Sequence, residues 1–276
     1  MNRYVIVPGP RLSPYVRNFT GGGFPNPVNH LPAMPFSQLV IYLRGAARLL
    51  GAGRPQPLPS AFIAGPSFTP RRFAVEAGSE YIAVVFRGHH LTEFFDLLVS
   101  DCREQMIPLE HFAPRAEVEA LLDGLRKECE PHAIIARLER FLLAARDKGR
   151  SRPVALPAFS ARQLLLPASE LAAQAGLSVR QFERRFLASY GLPLQGYRRL
   201  TRFSTALSML LWQPKNKGMI ARVAHDSAYF DHAHFIRDFR EFIGTTPGEF
   251  VKQLASPESD YQFWRLEPQQ LRAYMD

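Results

Sequence analysis

Two short segments of this 276-residue chain carry side chains suited to reading the edge of a base pair. In VRQFERRF (179–186), Arg180, Glu183 and Arg184 surround Phe182 and Phe186. In HAHFIRDF (232–239), His232, His234 and Arg237 surround Phe235 and Phe239. An arginine fork spans guanine O6 and N7 together, and a glutamate accepts from cytosine N4. Gln181, Arg198, Arg199, Lys215 and Lys217 lie within or between these segments. They suit phosphate contacts, which set position rather than sequence. Other chemistry finds less support. His232 and His234 are two positions apart, so a helix turns them to different faces, and no third ligand stands near; no metal is expected there. Cys102 and Cys129 lack metal spacing and read as reduced, small apolar residues. We find no Ser-His-Asp arrangement, no phosphate-cradling glycine loop and no paired catalytic carboxylates in a supporting context. No catalytic residue and no cofactor is therefore expected.

Such side chains matter only if something aims them. Leu171, Ala172 and Ala175 are apolar at helical spacing, Gly176 can take the positive φ of a sharp exit, and Ser178 is a good N-cap for the next helix. Phe182, Phe186 and Leu187 then mark one apolar face. Helix, glycine turn and capped helix with an arginine-rich outer face is the helix-turn-helix pattern. The pattern recurs. Phe235, Arg237, Phe239 and Gly244 repeat Phe182, Arg184, Phe186 and Gly191, each 53 positions on, and Asp231 takes the cap position of Ser178. Before the turn the offset is 52, from Leu171 to Val223, so the second turn is one residue longer. An internal repeat in register outweighs either copy alone. Between the copies, 194–211 carries Leu194, Tyr197, Leu200, Phe203, Ala206, Leu207 and Leu210 at helical spacing and ends before Pro214. It reads as a rigid connector between two heads.

The residues LAAQAGLSVRQFERRF (171–186), RRLTRF (198–203) and AYFDHAHFIRDFREFIGTTP (228–247) resemble the DNA-binding domain of AraC-type bacterial transcription regulators. The resemblance implies two helix-turn-helix units reading successive major-groove segments. By the same resemblance Arg180, Glu183 and Arg184, with His232, His234 and Arg237, match the positions that reach base edges. One departure is Ala228, where the family usually has glycine; if that position needs positive φ, alanine strains it by roughly 1 kcal/mol. The order of motifs in PSAFIAGPSF and YIAVVFRGHHLTEFFDL also looks like the sensor domain of some AraC-type regulators, a cupin-like β-fold followed by helices. His30, His89 and His90 do not form the ligand pattern of a metal-dependent cupin enzyme.

The rest of the chain agrees with two domains. The net charge is +9. Residues 158–255 contribute +6 and the tail −2, and a basic balance favours polyanionic partners. No apolar run approaches the ~18 residues of a membrane span, and the N-terminus lacks a secretory apolar stretch; a cytoplasmic protein is expected. Residues 1–30 are rich in Gly and Pro and read as irregular segments around short strands. β-favouring runs follow at 39–43, 46–50, 61–64, 72–75 and 81–86, then helices at 91–99, 115–129 and 133–148. Tyr42, Phe62, Phe73, Tyr81 and Phe86 read either as core or as the lining of an effector pocket. The stripes Val118, Leu121, Leu122, Leu125 and Ile134, Ile135, Leu138, Phe141, Leu142 read either as own-domain packing or as a homodimer surface. We thus expect an α+β sensor or dimerisation domain over 1–148 (a small cupin-like β-fold plus helices), a linker over 149–157, an all-α double helix-turn-helix domain over 158–255, and a tail over 256–276. Double-stranded DNA is the expected partner, with RNA polymerase, a small-molecule effector and a second copy as further ones, and no membrane. The alternative is an enzyme or DNA-repair protein with a fused DNA-binding module.

Overall fold

A computed structural model describes residues 3–148, 156, 159, 163–212 and 218–261. Most of the expected linker, Lys215, Lys217 and most of the acidic tail lie outside the described residues.

The first domain is two antiparallel sheets. Its strands are β1 (Tyr4–Ile6), β2 (Val16–Gly23), β3 (Val28–Leu31), β4 (Gln38–Arg44), β5 (Ala47–Leu50), β6 (Gln56–Pro57), β7 (Ala61–Ala64), β8 (Arg71–Val75), β9 (Glu80–Phe86) and β10 (Met106–Pro108). They order as β1-β2-β9-β4-β7-β10 in one sheet and β3-β8-β5-β6 in the other. Both faces of the larger sheet are covered, which explains the unbroken apolar run at 82–86. Side chains alternate along a strand. On β9, Tyr81 and Ala83 therefore face the space between the sheets, while Ile82, Val84 and Phe86 face outward against helices. Tyr42 and Phe62 point inward on the same logic, and Leu39, Ile41 and Ile63 outward.

The outward face is covered by α1 (Arg115–Arg126) and α2 (Pro131–Asp147), with Pro131 at the first turn of α2, where its missing N–H costs nothing. Val118, Leu121, Leu122, Leu125, Ile134, Ile135, Leu138 and Leu142 are all buried in that one core, and Phe141 packs on its edge. These stripes are own-domain packing. The reading of Leu121 and Leu125 as a homodimer surface is corrected: the larger sheet needs both stripes to cover its second face.

Residues 1–30 hold short strands between irregular segments, as expected, and the longest of them, β2, runs eight residues through the glycines at 21–23. Gly21 is required there by close approach, since a Cβ on it would lie 2.6 Å from Tyr4 Oη on β1. One other reading is corrected: the helix expected at 91–99 is instead two short 3-10 turns, at His90–Glu93 and Val99–Cys102, with Leu98 extended between them. Leu91, Phe94, Phe95, Leu97 and Val99 are all buried, more than one helical face can bury at once.

The second domain holds α3 (Ala168–Gln174), α4 (Val179–Tyr190), α5 (Leu194–Trp212), α6 (Met219–Asp226), α7 (His232–Ile243) and α8 (Pro247–Ala255). Two small cores are joined by α5. Its N-terminal end supplies Leu194 to the core of Leu171, Phe182, Phe186 and Tyr190. Its remainder supplies Leu200, Phe203, Ala206, Leu207 and Leu210 to the core of Val223, Phe235, Phe239, Phe242 and Phe250.

Candidate nucleic-acid interface

Each reading head is a pair of helices whose entry is fixed by a cap. In the first, Gly176 leaves α3 at φ +65°, and Ser178 opens α4 with a capping box. Gln181 N donates to Ser178 Oγ at 3.3 Å, and Ser178 N donates to Gln181 Oε1 at 3.0 Å. In the second, His234 N donates to Asp231 Oδ1 at 2.6 Å. Ala228 takes the place of Gly176 with φ +56°, the strain the sequence anticipates for a Cβ in that region. An Ala228→Gly variant is therefore expected to gain about 0.5–1 kcal/mol in stability, the relief of strain less the added freedom of the unfolded chain. Urea unfolding measures it, and a loss of stability would contradict it.

The apolar faces of α4 and α7 are buried, and Arg180, Gln181, Glu183, Arg184, His232 and Arg237 are exposed around their outer sides. The first domain docks at the other end of both helices. Ala33 N donates to Phe242 O at 2.8 Å, and Phe68 stacks on Phe242 with ring centroids 6.2 Å apart, both at the C-terminal end of α7. Tyr190, the last residue of α4, meets His89 edge-on at 5.5 Å. The N-terminal ends of both recognition helices stay open together. A helix N-terminus carries unpaired N–H groups and partial positive charge, which suits a phosphate-rich partner. With 19 residues, α5 is about 28 Å long, a spacer on the scale of one DNA turn.

Several expected contact residues have other partners. His234 is turned inward: it is 31% exposed, meets Tyr229 edge-on at 5.4 Å and lies 3.6 Å from Asp238 Oδ2. Arg198 Nε donates to Leu164 O at 2.6 Å and its Nη2 donates to Leu166 O, tying the 3-10 turn Gln163–Leu165 to α5. Arg199 Nη2 pairs with Asp238 at 2.6 Å and Glu241 at 2.7 Å, and its guanidinium lies 4.9 Å over Phe242. The bond to Glu241, then that to Asp238, raises its pKa further against partial desolvation. Gln181 is held in the capping box of Ser178 but stays exposed. The sequence reading passed over Phe230, which is 95% exposed at the entry to α7. The signal available there was the one-residue excess of the second turn.

A second site lies between the sheets of the first domain. The lining of a cavity of about 80 Å³ includes Phe24, Tyr42, Phe62, Phe73 and Tyr81, together with Arg71. Four of the five expected pocket residues lie on it. Phe86 does not, because it is an odd number of positions from Tyr81 on the same strand and so faces the helices. Arg71 pairs with Glu104 at 3.2 Å, and Glu104 also accepts from Ser67 Oγ and Phe68 N, both at 2.5 Å. Among the described residues, no cluster of three or more His, Cys, Asp or Glu that could hold a metal is present, and no helix is long and apolar enough to cross a membrane.

Residues 171–253 match the family model described as a helix-turn-helix domain. Capped head, connecting helix and second capped head are the two units and the spacer of that helix-turn-helix domain, which follows a β-rich domain. A comparison with curated proteins finds no match. Among solved structures the chain is similar to ToxT from Vibrio cholerae, at 12% identity and a TM-score of 0.44, covering 86% of this chain and 98% of that one. An apo variant of the same protein gives 10% identity and a TM-score of 0.46, covering 85% and 97%. A form bound to an unsaturated fatty acid gives 9% identity and a TM-score of 0.44, covering 84% and 94%.

Proposed function

We propose that the two heads read adjacent major-groove segments of one DNA site, with Arg180, Glu183 and Arg184 on one and His232 and Arg237 on the other reaching base edges. The observation that carries this is the simultaneous exposure of both recognition-helix N-termini, while the first domain occupies only their far ends. Arg184→Ala and Arg237→Ala are each expected to cost about 1–3 kcal/mol on the preferred site and to relax the base preference of different half-sites. Selection from a random duplex library measures this. Identical preferences for wild type and both variants would remove the assignment. Wild-type affinity should also fall steeply with salt, because phosphate contacts release counterions.

The cavity is the proposed seat of a small effector. Its wall is aromatic and its nearest charge, Arg71, is already balanced by Glu104, so an uncharged apolar molecule fits it best. The cavity's lining includes Met34 and Ser67, neighbours of the Ala33 and Phe68 that touch Phe242, which gives an occupant a route to α7. RNA polymerase and a second copy are the further partners of a regulator in the bacterial cytoplasm; a dimer would use a surface other than the buried stripes. The alternative, a repair enzyme with a fused module, needs an activated thiolate. Burial instead pushes the Cys102 thiol up to about 11.

A further inference from the structure

The two heads differ at one inserted residue. Leu177 N donates to Ala172 O at 2.9 Å in the first turn, and Tyr229 N donates to Ala224 O at 3.0 Å in the second, the same bond over the same interval. Leu177 and Tyr229 are thus equivalent, and each turns its side chain to the core of its own head. The caps are equivalent too, Ser178 and Asp231. In the first head the cap follows directly. In the second, Phe230 stands between. It is the extra residue, it has no counterpart in the first head, and the turn makes no use of its side chain. Among the described residues the other exposed large apolar side chains are Val7, Leu165 and Val179, at 63%, 74% and 41%, against 95% for Phe230.

An aromatic ring held in water gains nothing for folding. Here it is held beside the open N-terminal end of a recognition helix, next to exposed Asp231, His232 and Ala233. Residues at that end of such a helix meet base edges in the major groove. A phenyl ring offers no hydrogen bond, so it cannot read donors or acceptors. It can read the one apolar group on the major-groove edge, the 5-methyl of thymine. We propose that Phe230 is a specificity-determining residue of the second head, packing against a thymine methyl. This rests on the DNA-reading function above and assigns part of its specificity to an insertion in one head only.

The test uses the full chain and a duplex that it selects from a random library. The wild type is expected to require thymine at one position of the second half-site, and replacing that thymine with deoxyuridine should weaken binding about 3–5-fold, the effect of one buried methyl. Phe230→Ala should weaken binding to the selected site about tenfold or more, and for that variant the change from thymine to deoxyuridine should have no further effect, since paired groups do not add. The variant should unfold at the same urea concentration as the wild type, because the side chain touches little else. Equal methyl sensitivity in both proteins, or no thymine requirement in the wild type, would overturn the assignment while leaving the regulator reading in place. A uniform loss on every sequence would make Phe230 a backbone contact and also overturn it. A wild type that selects no sequence would remove both.

Discussion

An Arg199→Ala variant is expected to lose about 3 kcal/mol of stability, and its loss of DNA binding should follow from the loosened second head rather than from a missing phosphate contact. Asp238 lies in the middle of α7 with 0% side-chain exposure, and Arg199 reaches it from α5 at 2.6 Å. Removing one partner of a buried pair leaves a desolvated charge, which costs about 3–5 kcal/mol. The lower end applies, because the guanidinium is 34% exposed and partly solvated. Against a total of about 5–15 kcal/mol for an ordinary domain, that loss is large. The conservative Arg199→Lys change keeps the charge but not the fork that takes Asp238 and Glu241 together, and should fall between. The double change Arg199→Met with Asp238→Leu should recover most of the stability, since an apolar pair of similar volume often matches a buried ion pair. Urea unfolding of the four proteins decides the matter. If Arg199→Ala kept wild-type stability while binding weakened equally on all sequences, Arg199 would be a phosphate contact and the buried pair would hold little.

That reversal shows what was legible in the sequence. The periodicity of Phe182 and Phe186, and of Phe235 and Phe239, gave the helices, their buried faces and their outer arginines, because local spacing fixes which way a helical side chain points. The caps Ser178 and Asp231 were legible for the same reason. Partners across elements were not. Nothing near RRLTRF in the chain marks Arg199 as the partner of an aspartate 39 positions on, and an arginine in a basic domain reads as a phosphate contact by default. His234 was misplaced likewise, by a contact with Tyr229 outside its own helix. In the first domain the short apolar runs gave strands but not their partners. The strand parity that separates Tyr81 from Phe86 was present in the sequence and was overlooked. The role of the stripes on α1 and α2 was open for a different reason: a leucine stripe looks the same whether a sheet or a second copy covers it. The docking of the first domain on Phe242 and Tyr190 left no sequence signal at all.

Acidification should weaken that docking, with stability falling as pH drops from about 6.5 toward 4. Two histidines sit where the domains meet. His30 on β3 lies with its ring 4.5 Å from that of Tyr261, which follows α8, and the charged groups facing it are Arg72 and Asp260, themselves paired at 2.7 Å. His89 lies beside His90, with ring centroids 4.4 Å apart, and against Tyr190 of α4. Burial, then the charge of Arg72, lowers the His30 pKa to about 4 against the opposing pull of Asp260. Burial, then His90, lowers that of His89 to about 4. Separation would remove Tyr261 and Tyr190 from around the rings, while Arg72, opposite His30 across β3 and β8, and His90 would stay, so both pKa values would rise toward the ordinary 6.5. The docked state therefore binds fewer protons, so its advantage is complete above about pH 6.5 and is lost as pH falls through the window down to about 4. At about 1.4 kcal/mol per pKa unit, each ring contributes at most about 3 kcal/mol at the acid end. Replacing both with leucine removes the protonatable groups, so the double variant should show a shallower fall over this window than the wild type. Small-angle scattering should show the wild type expanding on acidification before its circular dichroism changes, because docking fails before either domain unfolds. Parallel pH profiles for the two proteins would show that carboxylates elsewhere, and not these histidines, set the acid response. The consequence for function is mechanical. The contacts that these rings support hold the first domain on the C-terminal ends of α4 and α7, so weakening them frees the two heads to move apart without touching a single base-reading side chain.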